Sequence, residues 1–365
     1  MPASTSFGAL HTVLTERLGC RVPIIQTAMG WVAEPSLVIA SSNAGAFGFL
    51  GAAVMTPDEC RTKLLAVRQG TDRPFGVNFH SFQPGADAIV DLILANREQV
   101  RAVSFGRGPN AKMIGRFKDA GILCIPTVGA VKHAQKMVEL GVDMVTVQGG
   151  EGGGHTGSVP TTVLLPQVLD AVKVPVIASG GFGDGRGLVA ALAYSAVGIA
   201  MGTRFLLTRE SPVPDNAKAA YLRAGTDQII VTTRLDGIPQ RMVRTPLLDR
   251  IEKSGTIGMW LRAFEAGRDM KRQTGASWLH FIRAARGMTG HGDVPLRQAI
   301  MAATMPMLIQ KAVVDGDIEH GVMATGVVAG RIGEVPSCAE LVDRIMAEAE
   351  SRLAALGVPQ VACAA

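Results

Sequence analysis

Residues 148–157 read QGGEGGGHTG and set Glu151 and His155 among six glycines. A neutral imidazole takes up or delivers a proton near pH 7, so His155 is the first candidate for acid–base chemistry. Glu151 has two readings: it orients or charge-balances His155, or it is solvated. Each glycine forfeits packing and loses more backbone entropy on ordering than other residues. Such a run makes sense where the backbone must approach something closely or take a positive φ. A flexible linker is the simpler reading, but the flanks oppose it. DMVTVQ (143–148) predicts a short buried strand and TTVLLPQVLDAV (161–172) a helix. A glycine-rich loop running from a buried strand to a helix is where α/β proteins place ligands.

Two further stretches offer phosphate chemistry. They are ASGGFGDGRG (178–187) and AMGTRFLL (200–207). Ser179, Gly180 and Gly181 present a hydroxyl and unshielded backbone N–H groups, and Gly202 and Thr203 present the same. Such groups bind phosphate at helix starts and after the last two strands of many barrels; two ordinary glycine turns are the alternative. In QTAMGWV (26–32), Met29 and Gly30 would let a flat ring lie against backbone, unless Met29 is simply core. Asn78, in GVNF (76–79), must find partners if buried. A ligand's amide edge and a neighbouring loop serve equally. Thr127 and Gln148 have the same standing. Together these neutral groups suit the polar edge of a flavin ring.

The elements that must position them repeat one pattern: an apolar run, a Gly or polar break, an amphipathic segment. VPIIQTA (22–28), AFGFLG (46–51), PFGVNF (74–79), RAVSFG (101–106), LCIPTVG (123–129), DMVTVQ, PVIASGG (175–181) and GIAMGTRFLL (198–207) are the strand candidates. Their near-continuous apolar character fits strands buried on both faces. The helices between them imply right-handed βαβ crossovers. Such units close most naturally into a (β/α)₈ TIM barrel; an open doubly wound sheet is the competitor. Thr56-Pro57-Asp58-Glu59 signals one helix start. Ser337 with Glu340 at capping-box spacing signals another, over 337–357. The period breaks near residue 208. The expected organisation is a barrel from 1–208 plus 331–365, with 209–330 a mainly helical insertion capping the mouth.

With 365 residues and 47% hydrophobic content, a large core is within reach. No apolar stretch reaches membrane-spanning length and no signal peptide is evident. The five cysteines (Cys20, Cys60, Cys124, Cys338, Cys363) are scattered without CxxC, which reads as reduced thiols, a cytoplasmic location and no zinc. The net charge of +5 permits phosphate-bearing small molecules. No dense Lys/Arg tract interleaved with aromatics points to nucleic acid.

QTAMGWVA, GVNF, VQGGEGGGHTG, IASGGFGDGRG and AMGTRFLLT resemble the FMN-dependent barrel family of nitronate monooxygenases, which also takes in flavin enoyl reductases. The resemblance implies FMN held by Ala28, Met29, Gly30, Asn78, Gln148, Ser179, Gly180, Gly181, Met201, Gly202 and Thr203. It implies His155 as the catalytic residue and no metal. QTAMGWVAEPSLV, VTTRLDGIPQRMVRTPLL, SWLHFIRAARGM and VVDGDIEHGVMATGVVAGRIGEVPSC are similar to a steroid-catabolic branch. That branch acts on a hydroxy-methyl-oxo-octahydroindene carboxyl-CoA thioester. The implied activity is introduction or reduction of a ring double bond α,β to the thioester. Oxidation of alkyl nitronates with O₂ is the alternative, and a non-enzymatic flavin-storage barrel a third, opposed by His155. Arg241, Arg244, Arg250 and Lys271 are candidates for the CoA phosphates, or form solvated helix faces. No GxGxxG follows a first strand, so NAD(P)H or NAD(P) would act only transiently at the flavin face. The expected partner is a small molecule, an acyl-CoA among the candidates, with a homodimer left open. His80 is placed at the mouth. His11, His133, His280, His291 and His320 are read as surface or structural.

Overall fold

The computed structural model describes residues 10–105, 111–254 and 296–357. Lys271, His280, His291, Cys363 and the stretch SWLHFIRAARGM lie outside them. The chain divides into two compact units. Unit 1 takes Met1–Gly152, Gly157–Pro212 and Ile332–Ala365, and unit 2 takes Gly153–Thr156 and Val213–Arg331.

Unit 1 is built on a nine-stranded parallel sheet. Its strands are β1 (Ile24–Gln26), β2 (Phe47–Gly51), β3 (Phe75–Phe79), β4 (Val100–Phe105), β5 (Leu123–Cys124), β6 (Thr127–Val128), β7 (Val145–Gln148), β9 (Val176–Ser179) and β10 (Ile199–Met201), while β8 (Gly154–His155) belongs to unit 2. The order is β5-β4-β3-β2-β1-β10-β9-β7-β6. The two ends of this order are consecutive pieces of one segment. LCIPTVG, expected as a single strand, is interrupted at Ile125–Pro126, because proline has no N–H for the ladder. The interruption does not open the ring. Ile125 N–H donates to Val103 C=O at 2.8 Å on one side, and Thr146 N–H donates to Pro126 C=O at 2.9 Å on the other. The strands thus close into the TIM barrel. The last strand is also shorter than expected. It stops at Met201, and Thr203–Leu206 turn into a short helix.

Crossover helices flank the strands, and their starts follow local chemistry. Thr56 caps Pro57–Gly70 in a capping box with Glu59, and Ser337 does so with Glu340 for Cys338–Ala355. That last helix packs on the helix Gly185–Ala193, so closely that a Cβ on Gly185 would lie 2.5 Å from Ile345 O. Inside the ring, Ile25, Phe47, Phe49, Ala102, Ile125, Met144, Ile177 and Ala200 form one buried cluster, which Leu14 and Leu18 of the helix Val13–Leu18 join. Each large side chain so buried contributes about 1.5–3 kcal/mol. Cys20, Cys60, Cys124 and Cys338 are free thiols. Burial pushes the Cys20 and Cys124 thiols up to about 12 and that of Cys60 up to about 11. No helix among the described residues is long and apolar enough to cross a membrane.

Unit 2 carries a small antiparallel sheet. β12 (Gln240–Val243) pairs with β11 (Ile229–Thr232), with β13 (Met323–Ala324) and with β8. Leu235, Met242, Leu248, Ile251, Met305 and Val322 make its core. Its described helices include Asp215–Arg223, Pro246–Lys253 and Leu296–Val313.

Candidate functional site

Parallel register decides which residues share the rim at the strand ends of unit 1. Gln148 lies opposite Ser179, Ala200 opposite Ser179, Met201 opposite Gln26, and Asn78 opposite Gly51 and Ser104. Thr27 N–H donates to Met201 C=O at 3.1 Å, joining the exits of β1 and β10. A Cβ on Gly202 would lie 3.1 Å from Thr27 Oγ1 and 3.2 Å from Met29 Sδ, so Met29 sits directly against Gly202. Ala28, Met29 and Gly30 leave β1 half-buried. Among the expected cofactor residues, Asn78, Gln148, Ser179 and Met201 stand at strand ends, Met29 meets Gly202, and Gly180, Gly181 and Thr203 directly follow β9 and β10. Thr127 stands apart as the exposed first residue of β6.

The donor set after β9 is of the kind that receives an anion such as a phosphate. Gly180 and Gly181 both take left-handed φ values, +94° and +83°. Their N–H groups take no part in the turn and loop hydrogen bonds of the described residues. A side chain on Gly180 would fill the space: its Cβ would stand 3.1 Å from Gly149 O. Side-chain-free N–H groups of this kind form anion-binding concavities. Asn78 donates one of its two amide N–H groups to Ser104 C=O at 3.1 Å. No group of three His, Cys, Asp or Glu among the described residues stands where it could hold a metal ion.

Glu151 departs from both readings made of it. Its carboxylate accepts the Thr161 N–H at 2.9 and 3.1 Å and the Thr161 hydroxyl at 2.7 Å. The helix Thr161–Ala171 begins after Pro160, which has no side-chain acceptor, and Glu151 supplies one from ten residues upstream. An anion is also favoured there by the helix dipole. The neighbouring Gly149 is explained by the same contact, since a Cβ on it would lie 2.0 Å from Thr161 Oγ1.

His155 belongs to unit 2, and its partner is Asp236: Nε2 and Oδ2 are 2.7 Å apart. The imidazole is 56% exposed and the carboxylate only 10%. Burial raises the Asp236 pKa, but the contact with His155, the nearby Gln240 side chain and the hydrogen bond from the Ile238 N–H outweigh it and hold the carboxyl below its usual range. Sequence reading missed Asp236 because LDG looks like turn punctuation, and indeed its Oδ1 accepts the Ile238 N–H at 3.0 Å. Two of the basic candidates are committed within unit 2. Arg244 pairs with Asp249 at 2.8 Å, and Arg250 donates to Glu319 C=O at 3.0 Å. His80 stacks on Phe82, ring centroids 5.0 Å apart, and His320 pairs with Asp317.

A profile of the nitronate monooxygenase family matches residues 11–92 and 82–348. Two relatives carry the name (3aS,4S,5R,7aS)-5-hydroxy-7a-methyl-1-oxo-octahydro-1H-indene-4-carboxyl-CoA dehydrogenase. The one from Rhodococcus jostii is 46% identical over 95% of this chain and 98% of its own. The one from Mycobacterium tuberculosis is 47% identical over 94% and 97%. The solved structure of FabK from Thermotoga maritima superposes with a TM-score of 0.77 at 32% identity, covering 95% of this chain and 98% of that one. The chain belongs to the nitronate monooxygenase family of oxidoreductases.

Proposed function

We propose that this family member is an FMN-dependent oxidoreductase that introduces or reduces a ring double bond α,β to a CoA thioester in steroid ring degradation. The observation that carries the reading is the 46–47% identity to the two carboxyl-CoA dehydrogenases along 94–95% of this chain. That likeness spans unit 2 as well as the barrel. Ala28, Met29, Gly30, Asn78, Gln148, Ser179, Gly180, Gly181, Met201, Gly202 and Thr203 would hold FMN, with the phosphate on the glycine backbone after β9 and β10. Bound flavin supplies the two-electron redox capacity that no side chain has.

His155 would handle the proton. The carbon α to a thioester is acidified by the carbonyl, so an imidazole is a suitable base for it. The imidazolium formed is balanced by the ionised Asp236 at 2.7 Å. In the reverse direction the same ring returns the proton. Arg244 and Arg250 are not assigned to CoA, since each has a partner in its own unit. A nicotinamide nucleotide would serve only as a transient electron partner.

The family profile favours a second reading, oxidation of alkyl nitronates with O₂. One experiment separates them. The flavin-loaded protein is mixed anaerobically with an indane carboxyl-CoA thioester or with an alkyl nitronate, and the loss of visible flavin absorbance is timed. Rapid bleaching by the thioester is expected. Bleaching by the nitronate alone would move the assignment to the second reading.

A further inference from the structure

The start of the glycine-rich stretch and the proposed phosphate turn are packed on each other inside unit 1. Gly149 N–H donates to Ser179 C=O at 3.0 Å, and Gly152 N–H donates to Gly149 C=O at 3.0 Å, closing a tight turn. That turn lies directly against the residues that follow β9. A Cβ on Gly180 would stand 3.1 Å from Gly149 O and 3.3 Å from Gly152 N, and one on Gly181 would stand 3.4 Å from Glu151 Cβ and 3.6 Å from its Cγ. The Glu151 carboxylate ends on Thr161, accepting its N–H and its hydroxyl. The same hydroxyl is 3.1 Å from Gly180 C=O. One side chain, Thr161, thus touches the carboxylate on one side and the first left-handed glycine on the other.

We infer that Glu151, acting through Thr161, is a positioning residue for the cofactor phosphate: it holds the Gly180–Gly181 turn in the conformation that receives the anion. The inference rests on the reading of that turn as the phosphate site. Two successive glycines at φ +94° and +83° are a costly backbone to order, because glycine has the most conformational freedom to lose. Left to itself, such a turn would have to be ordered by the arriving phosphate, at the expense of affinity. Here the ordering is done in advance. The Thr161 hydroxyl shares its hydrogen between Glu151 and the Gly180 carbonyl, a three-centre arrangement. The Glu151 stem backs Gly181. A carboxylate's charge by itself opposes a nearby anion. The bonds from Thr161 and the positive end of the helix Thr161–Ala171 offset that charge, so the hold on the turn is the larger effect.

The test compares two flavins that differ only in the phosphate. The full-length protein, stripped of flavin, is titrated with FMN and with riboflavin, and binding is followed by flavin fluorescence. Wild type should bind FMN far more tightly than riboflavin. Glu151→Ala should raise the Kd for FMN about 10-fold, the loss of one hydrogen bond to a charged group, and leave that for riboflavin unchanged. Glu151→Gln keeps an acceptor oxygen for Thr161 and should recover most of the FMN affinity. Thr161→Val keeps the branched shape without the hydroxyl and should behave as Glu151→Ala does, so the result stands even if that variant does not fold. An equal loss for both flavins would overturn the inference, since it would make the contact a support of the fold alone. Tighter FMN binding in Glu151→Ala and Glu151→Gln would also overturn it, by making the charge the larger effect. Equal affinity of wild type for the two flavins would instead remove the phosphate from Gly180 and Gly181, and the inference with it.

Discussion

The Glu151 carboxylate sits on the first turn of the helix that opens at Thr161, bonded to both its N–H and its hydroxyl within 3.1 Å. The acidic side chain of the glycine-rich stretch is thereby a structural cap. Glu151→Ala should cost about 1 kcal/mol, the usual loss for removing a helix cap. A urea midpoint lowered in proportion checks this. The substrate half-reaction of the folded, flavin-loaded variant should stay within a few-fold of wild type, unlike that of His155 variants.

The purified protein should carry noncovalent FMN. The proposed phosphate site is the pair of left-handed glycines Gly180 and Gly181. Flavin released by heat should chromatograph as the mononucleotide. Release of FAD would show that the cradle has been misread.

Gly181→Asp and Gly181→Asn form a matched pair. Both place a short side chain at φ +83°, a conformation Asn and Asp tolerate better than most residues, and both meet Glu151 Cβ at 3.4 Å. Only Asp adds a negative charge beside the phosphate. FMN content should fall much further in Gly181→Asp than in Gly181→Asn. Equal content in the two would place the phosphate elsewhere.

His155→Ala should retain FMN and slow the substrate half-reaction by about 10²–10⁴-fold. His155→Gln, which bonds but accepts no proton at neutral pH, separates two roles. A rate as poor as that of Ala assigns His155 to proton transfer, as a thioester requires. Recovery with Gln would assign it to orienting an already ionised nitronate. Stopped-flow traces of flavin reduction give both numbers, and unchanged rates in both variants would remove His155 from the chemistry.

Asp236 makes stability depend on acid. Burial disfavours its charge, but its hydrogen bonds win, and the folded pKa lies below the ordinary 3.8. A depressed carboxyl contributes stability that is complete above the unfolded pKa and is lost as pH falls through the folded one. The urea midpoint of wild type should therefore drop below about pH 4 more steeply than that of Asp236→Asn. Parallel curves would mean that the pair with His155 adds no charge-dependent stability.

The barrel was legible because its signals are local. Apolar runs at β1 through β10, the glycines that follow them, and the cap pairs Thr56/Glu59 and Ser337/Glu340 act within a few residues of one another. Residue type and position along each strand nominated Asn78, Gln148, Ser179 and Gly202, while Ala28 and Met201 came only from the family resemblance. What acts over long separations was not legible. Asp236 reaches His155 across 81 positions only because β8 and β12 pair in one particular register, and no periodicity in either segment encodes that register. Glu151 was read as a partner for the histidine four residues on or as solvated, yet the helix at Thr161 had the stronger claim, with an N–H and a hydroxyl in need of an acceptor. Arg244 and Arg250, read as candidates for phosphate or as solvated helix faces, have Asp249 and the Glu319 carbonyl set beside them by folding. The amino-acid order thus specified which elements form and which side chains could do chemistry. The tertiary structure decided which of those side chains face each other, since a hydrogen bond depends on positions to within fractions of an ångström that only the packed chain defines.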